Sequence, residues 1–189
     1  RSKLTKPTNW REPSPFNWEL LDESQNYNKL KSYAQTSKLC AVDIETSPQL
    51  VIRSISYTFW APDFKTSKTW VLPIKSLADV KLMREINLIP VPKVLQNGKY
   101  DIAYLFAYSA PLTSYLYDTV NAMHSWYSEL PKDLAFIQAL FIRKSMYWKD
   151  LAEYGDLMEQ FGYNVMDTWR TGVVFISWLL EAPDWAKRN

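Results

Sequence analysis

The chain contains one cysteine and one histidine in 189 residues. The lone Cys40 excludes an intramolecular disulfide framework and any zinc site built from cysteines. The lone His124 excludes a multi-histidine metal site and leaves little basis for a Ser-His-Asp triad. Glycine is also scarce. There are four, and none forms GxGxxG or GxxxxGK[ST], so the phosphate-cradling loops of those motifs are missing. No apolar run approaches the roughly 18 residues of a transmembrane helix. The N-terminal stretch RSKLTKPTNWREPSPF lacks the apolar centre of a signal peptide. The expectation is an intracellular protein with no membrane partner. One-sided charge is missing too. With 22 basic and 20 acidic residues, the net charge of +2 is too balanced for a general nucleic-acid coat. A local phosphate-binding groove is still compatible with it. What chemistry remains must come from carboxylates, tyrosine, lysine or a bound metal.

The composition that is present, 47% hydrophobic and 22% charged, is that of a globular chain. A mass of 22.2 kDa fits one domain with a small appendage. Aromatic residues are rich, with nine Trp and twelve Tyr. Most are expected in core and interface packing, a minority in stacking on bases.

Residues 1–16, with Pro7, Pro13 and Pro15, read as an extended arm. Residues 17–38 read as partly helical, so 1–37 form an arm and helical extension to a domain over 38–189. Apolar, β-branched and aromatic runs predict strands at Leu39–Ile44, Leu50–Phe59, Thr69–Ile74 and Lys93–Gln96. A helix is predicted over Leu77–Ile86. Further helices are predicted over about 101–108, 118–127, 131–141, 148–160 and 163–181. An antiparallel start followed by alternating helix and strand implies an α/β fold, a mixed sheet with helices packed on it.

Three constellations stand out. In Val42-Asp43-Ile44-Glu45-Thr46, side chains two apart in a strand share a face. Asp43 and Glu45 therefore lie together, with Val42 and Ile44 toward the core. Paired carboxylates repel unless a cation neutralises them, and oxygen-only ligands suit magnesium or manganese. Taken alone, the pair reads equally as a solvated strand end. Gln96-Asn97-Gly98-Lys99-Tyr100-Asp101 follows a short strand and opens a helix. Asp101 there is either a simple helix-terminal carboxylate or a third acid delivered to the same sheet edge. In Tyr163-Asn164-Val165-Met166-Asp167, Tyr163 and Asp167 are four apart and share a helix face. Beside them runs an apolar stripe expected in the core: Val165, Trp169, Val173, Ile176 and Leu180.

D-x-E, then N-x-x-x-D, then Y-x-x-x-D, in that order, resembles the DEDD 3′–5′ exonuclease superfamily. Tyr163 makes the chain look like the DEDDy branch. The histidine branch would carry His where Gly162 stands, which leaves His124 a structural residue. Lys93 to Asp101, KVLQNGKYD, is similar to the second exonuclease motif of family A DNA polymerases. Tyr117-Asp118-Thr119 also matches that family. Glu129 to Leu134, ELPKDL, and Tyr147 to Asp150, YWKD, resemble its phage and organellar members. The resemblance covers roughly residues 38–182.

This resemblance implies a ribonuclease H-like fold and two divalent cations, Mg2+ or Mn2+, held by Asp43, Glu45, Asp101 and Asp167. It implies Asp43 as the bridging ligand, with Glu45 and Tyr163 orienting the attacking water. Thr46, Asn97 and Lys149 would contact the substrate. The implied activity is removal of nucleoside 5′-monophosphates from a single-stranded or frayed DNA 3′ end. The chain would act as the proofreading domain of a DNA polymerase, with the polymerase domain in cis as partner. An RNase D-like ribonuclease acting on RNA 3′ ends, or an inactive nucleic-acid-binding scaffold, are the alternatives.

Overall fold

The computed structural model describes residues 17–21, 26–114, 116–142 and 157–187. Among them the elements run β1 (Trp18–Leu20), α1 (Tyr27–Thr36), β2 (Leu39–Thr46), β3 (Ile52–Trp60), β4 (Ser67–Pro73) and α2 (Leu77–Asn87). After these come β5 (Lys93–Leu95), α3 (Lys99–Ala107), β6 (Leu116–Asp118), α4 (Thr119–Trp126), α5 (Leu134–Ala139) and α6 (Leu157–Glu181). One 3-10 turn, Asp184–Lys187, follows.

The strands form a single mixed sheet in the order β1-β4-β3-β2-β5-β6. The β2–β3 and β3–β4 pairs are antiparallel, and β1, β5 and β6 join in parallel. This is the α/β architecture the sequence implies. No helix among the described residues is long and apolar enough to cross a membrane.

Two-residue alternation splits the sheet into unlike faces. One face carries Cys40, Val42, Ile44, Ile55, Tyr57, Phe59, Trp70 and Leu72. All pack in one cluster with Leu30 and Ala34 of α1, Met83 and Ile86 of α2, and Leu105 of α3. The other face is covered by α6. It mixes Leu39, Ala41, Trp60 and Val71 with buried hydroxyls of Ser54, Ser56, Thr58 and Thr69. At Gly172 the helix backbone lies so close to the sheet that an added Cβ would come within 2.3 Å of Trp60 Nε1. Glycine is required there by contact, not by dihedral angle.

Local caps fix the helix starts. Ser76 and Asp79 form a reciprocal capping box on α2, with Ser76 N–H donating to Asp79 Oδ2 at 2.8 Å. Asp118 caps α4 through Val120 N–H at 2.8 Å, and Asp133 caps α5 through Phe136 N–H at 2.9 Å.

Several expectations change. The stretch 17–38 holds a strand as well as a helix: β1 adds to the outer edge of β4. Leu116–Asp118 is a strand before α4, so the helix predicted from 118 begins at Thr119. The helix predicted over 131–141 contracts to Leu134–Ala139 because Asp133 is its cap. The segments predicted as two helices either side of residue 162 are one continuous helix from Leu157, and residues 148–156 lie outside the described residues. Val165, Trp169, Val173 and Ile176 are buried as expected, but Leu180 is 57% exposed. It stands in the last turn of α6, where the sheet no longer covers the helix.

Candidate active site

The carboxylate cluster forms where the end of β2 meets α6. Asp43 and Glu45 project from β2 toward α6, and Asp167 comes from α6 about one turn beyond Tyr163. Each of the three offers one oxygen, and these oxygens all lie within 4.8 Å of one another. The two constellations with matched faces, in strand and helix, are thus brought together.

Asp101 stands just outside that triad. It is buried in the first turn of α3, and its Oδ1 accepts the Ile44 backbone N–H at 3.1 Å. Its charge is nevertheless felt by both Asp43 and Glu45.

The electrostatics follow from burial and crowding. Burial first, then the charges of Asp101, Glu45 and Asp167, hold the Asp43 carboxyl well above the usual range. The hydrogen bond from Asn164 works the other way. Burial, then Asp167 and Asp101, push Glu45 up to about 7, with Arg53 opposing. Burial raises Asp101 to about 6, opposed by the Ile44 N–H. Three acids held above their usual range, with the charge of Asp167 beside them, form a donor set calling for positive charge.

Tyr163 lines the same site. Its hydroxyl bonds to Asp167, and burial, then the carboxylate charges, raise its pKa further above the ordinary tyrosine value. Beside Glu45, Thr46 and Tyr163 opens a cleft of about 330 Å³ whose lining includes Arg53 and Lys75. Thr46 Oγ1 lies 2.8 Å from the Tyr100 hydroxyl, so a residue of the second motif leans over the first.

Asn97 adopts a left-handed backbone, φ 53°, and is exposed. Its N–H and that of Gly98 donate to Asp118 Oδ1 and Oδ2 at 3.1 and 2.8 Å. Gly98 has no room for a side chain, since a Cβ would meet Leu95 Cβ at 2.7 Å. This clamp sets the start of α3 and with it Asp101. Lys149 lies outside the described residues. His124 is exposed on α4, beside a cleft lined by Tyr117, Phe175 and Trp178 but by none of the four carboxylates.

Two residues with structural claims on the site were not singled out as site residues from the sequence. Asp118 was read only as part of a family match, yet its carboxylate accepts three backbone N–H groups. Asn164 was quoted inside the third constellation without a role. It is fully buried and donates to Asp43 Oδ2 at 2.6 Å. The available signal was a polar residue placed between two core-facing positions of an otherwise amphipathic helix.

No protein-family model and no curated protein matches the sequence. Solved structures do match the fold. The catalytic core of RRP6 from Trypanosoma brucei aligns at TM-score 0.69 and 20% identity, over 92% of this chain and 50% of that one. Escherichia coli RNase D, an exoribonuclease involved in structured RNA processing, aligns at TM-score 0.67 and 14% identity, over 88% and 45%. The POL domain of Pol1 from M. smegmatis, in complex with DNA primer-template and dNTP, aligns at 0.63 and 11% identity, over 87% and 27%. The chain spans half or less of the length of these three structures. The shared architecture is the ribonuclease H-like mixed sheet flanked by helices.

Proposed function

We propose that this chain is a metal-dependent 3′–5′ exonuclease of the tyrosine-bearing DEDD type, acting on DNA 3′ ends as a polymerase proofreading domain does. The observation that carries the reading is the convergence of Asp43, Glu45 and Asp167 within 4.8 Å, with Tyr163 bonded to Asp167. Support for DNA comes from the KVLQNGKYD, ELPKDL and YWKD stretches and from the fold likeness to the Pol1 domain.

The donor set fits divalent cations: it is all oxygen, half-buried, and self-repulsive without them. Asp43, Glu45, Asp101 and Asp167 would hold two, Mg2+ or Mn2+. When bound, they supply Lewis-acid polarisation of the scissile phosphate and neutralise the charge that develops on its oxygens.

The remaining work falls to the chain itself. Glu45 and Tyr163, which line the same cleft, would orient the attacking water. Tyr163 keeps its proton at neutral pH, because every influence on it raises its pKa. It therefore acts as a hydrogen-bonding group and not as a base. The water oxygen bonds to phosphorus, the bond from phosphorus to the 3′ oxygen breaks, and that oxygen leaves with a proton. The product is a nucleoside 5′-monophosphate. Thr46, which lines the cleft with Tyr100 behind it, and Asn97 would seat the terminal nucleotide, with Lys149 contacting a phosphate. A duplex end must fray by a few pairs to enter, at about 1.4 kcal/mol per stacking step. Mismatched ends fray more readily, which is the source of proofreading preference.

A second reading, an exoribonuclease, is favoured by the likeness to RRP6 and RNase D. One experiment tests both. Matched 5′-labelled single-stranded DNA and RNA are incubated with Mg2+, with and without chelator. A chelator-sensitive ladder shortening from the 3′ end, faster on DNA, is the expected result. A ladder on RNA alone supports the second reading, and no ladder on either rejects both.

A further inference from the structure

We propose that Asn164 is the positioning residue of the carboxylate cluster, holding Asp43 in the orientation that lets the cluster take a divalent cation. The inference rests on the metal-dependent reading above and assigns a residue that the reading leaves without a role.

Asn164 is wholly buried between α6 and the sheet. Its two amide atoms are used in opposite senses. Nδ2 donates to Asp43 Oδ2 at 2.6 Å and to the Asp43 backbone carbonyl at 3.4 Å. Oδ1 accepts from the Ser54 hydroxyl at 3.4 Å. The hydroxyl donor on one side and the carboxylate on the other fix which way the amide points. Behind it, the Asn164 carbonyl accepts from Ser56 Oγ at 3.1 Å and Thr168 Oγ1 at 2.8 Å. Ser56 and Thr168 also bond to each other. The residue is thus held from β3 while it holds β2.

The chemistry of this arrangement is specific. Asp43 sits among three other acids, and left alone its carboxyl group would turn away from them. A neutral amide donor attracts one Asp43 oxygen without adding charge to the cluster. A cation in the same place would instead compete for the site. Asn164 also stands three residues before Asp167 and next to Tyr163. The bond that aims Asp43 therefore also registers the helix that carries the other half of the cluster.

The test compares Asn164→Ala with Thr58→Ala, which loses a buried hydroxyl contact to Thr69 and lies opposite Ala41 rather than the acids. Mn2+ binding to the full chain is measured by calorimetry, together with the Mn2+ concentration for half-maximal cleavage of single-stranded DNA. Asn164→Ala is expected to weaken Mn2+ binding by tenfold or more, and Thr58→Ala to leave it within twofold. Should Asn164→Ala not fold, Asn164→Ser, too short to reach Asp43, is read by the same criteria. Wild type that binds Mn2+ and cleaves, with Asn164 variants unshifted or both positions shifted equally, overturns this inference alone. Wild type that binds no Mn2+ overturns it together with the reading beneath it.

Discussion

The two faces of the sheet are built from alternate residues of the same strands, yet they do different jobs. Toward α1, α2 and α3, β3 presents Ile55, Tyr57 and Phe59 to a dry apolar cluster. Toward α6, the same strand presents Ser54, Ser56 and Thr58, each hydrogen-bonded. On β2, Val42 and Ile44 face the first cluster and Asp43 and Glu45 face the second. The apolar core rests on one set of alternate residues and the carboxylate cluster on the other. The difference teaches that the acids can be crowded to the point of mutual repulsion because the opposite face does not depend on them.

The strongest way to break this division is Asp43→Ala. Cleavage should fall below detection, while the melting temperature in chelator at pH 8 stays at or above that of wild type, since a repelling charge has been removed. A clearly lower melting temperature would make Asp43 part of the scaffold. The converse substitution is Phe59→Ala on the apolar face, which removes a buried ring stacked near Tyr57 and edge-on to Trp70. It should cost about 3–5 kcal/mol in denaturant unfolding. The rate per folded molecule at low temperature should be kept, and a parallel loss of rate would show the faces to be coupled.

Tyr163→Phe sharpens the comparison within the chemical face. If the hydroxyl orients water, single-turnover cleavage should slow by roughly 10- to 100-fold, about 1.4–2.7 kcal/mol. The pH–rate profile should keep its shape. A rate within about twofold of wild type would remove Tyr163 from the mechanism.

A further expected effect is in pH. The folded pKa values of Glu45, about 7, and Asp101, about 6, lie above those of the unfolded chain. The native state then binds more protons than the unfolded state between roughly pH 4 and 7. Stability from these groups is fully present below the unfolded values and is lost as pH rises through the folded ones. Melting of chelated protein should therefore weaken from pH 5 to pH 8, by at most about 1.4 kcal/mol per pH unit for each such proton. Added Mn2+ should flatten the slope, and a stability that rises over this range would refute the crowding.

Much of this organisation was legible because it follows from period. The D-x-E face and the Tyr163–Asp167 face are consequences of strand and helix repeats, and both hold in the structure. The central strands and α2 were read to within a few residues, since their runs are long and their caps explicit. The strands missed, Trp18–Leu20 and Leu116–Asp118, have three residues each, too few for a repeat to show. Both exist because a neighbouring edge was open to them. The hydroxyl ladder on β3 was hidden for another reason. Ser and Thr within an apolar run look like dilution of a core, and only α6 lying across them turns them into partners. Asn164 was obscured in the same way, because its partner is 121 positions distant in the chain.

Gly172 carries one more consequence. It stands five residues beyond Asp167, about 7.5 Å along the helix axis. There the helix rests directly on the indole of Trp60, with no space for a methyl group. The carboxylates push helix and strand apart, whereas this contact is indifferent to charge and works by shape. It behaves as a mechanical stop beside a compressed spring, fixing the gap that the acids must share. A methyl placed at 172 would widen that gap from a distance, detuning the cluster without touching any of its members.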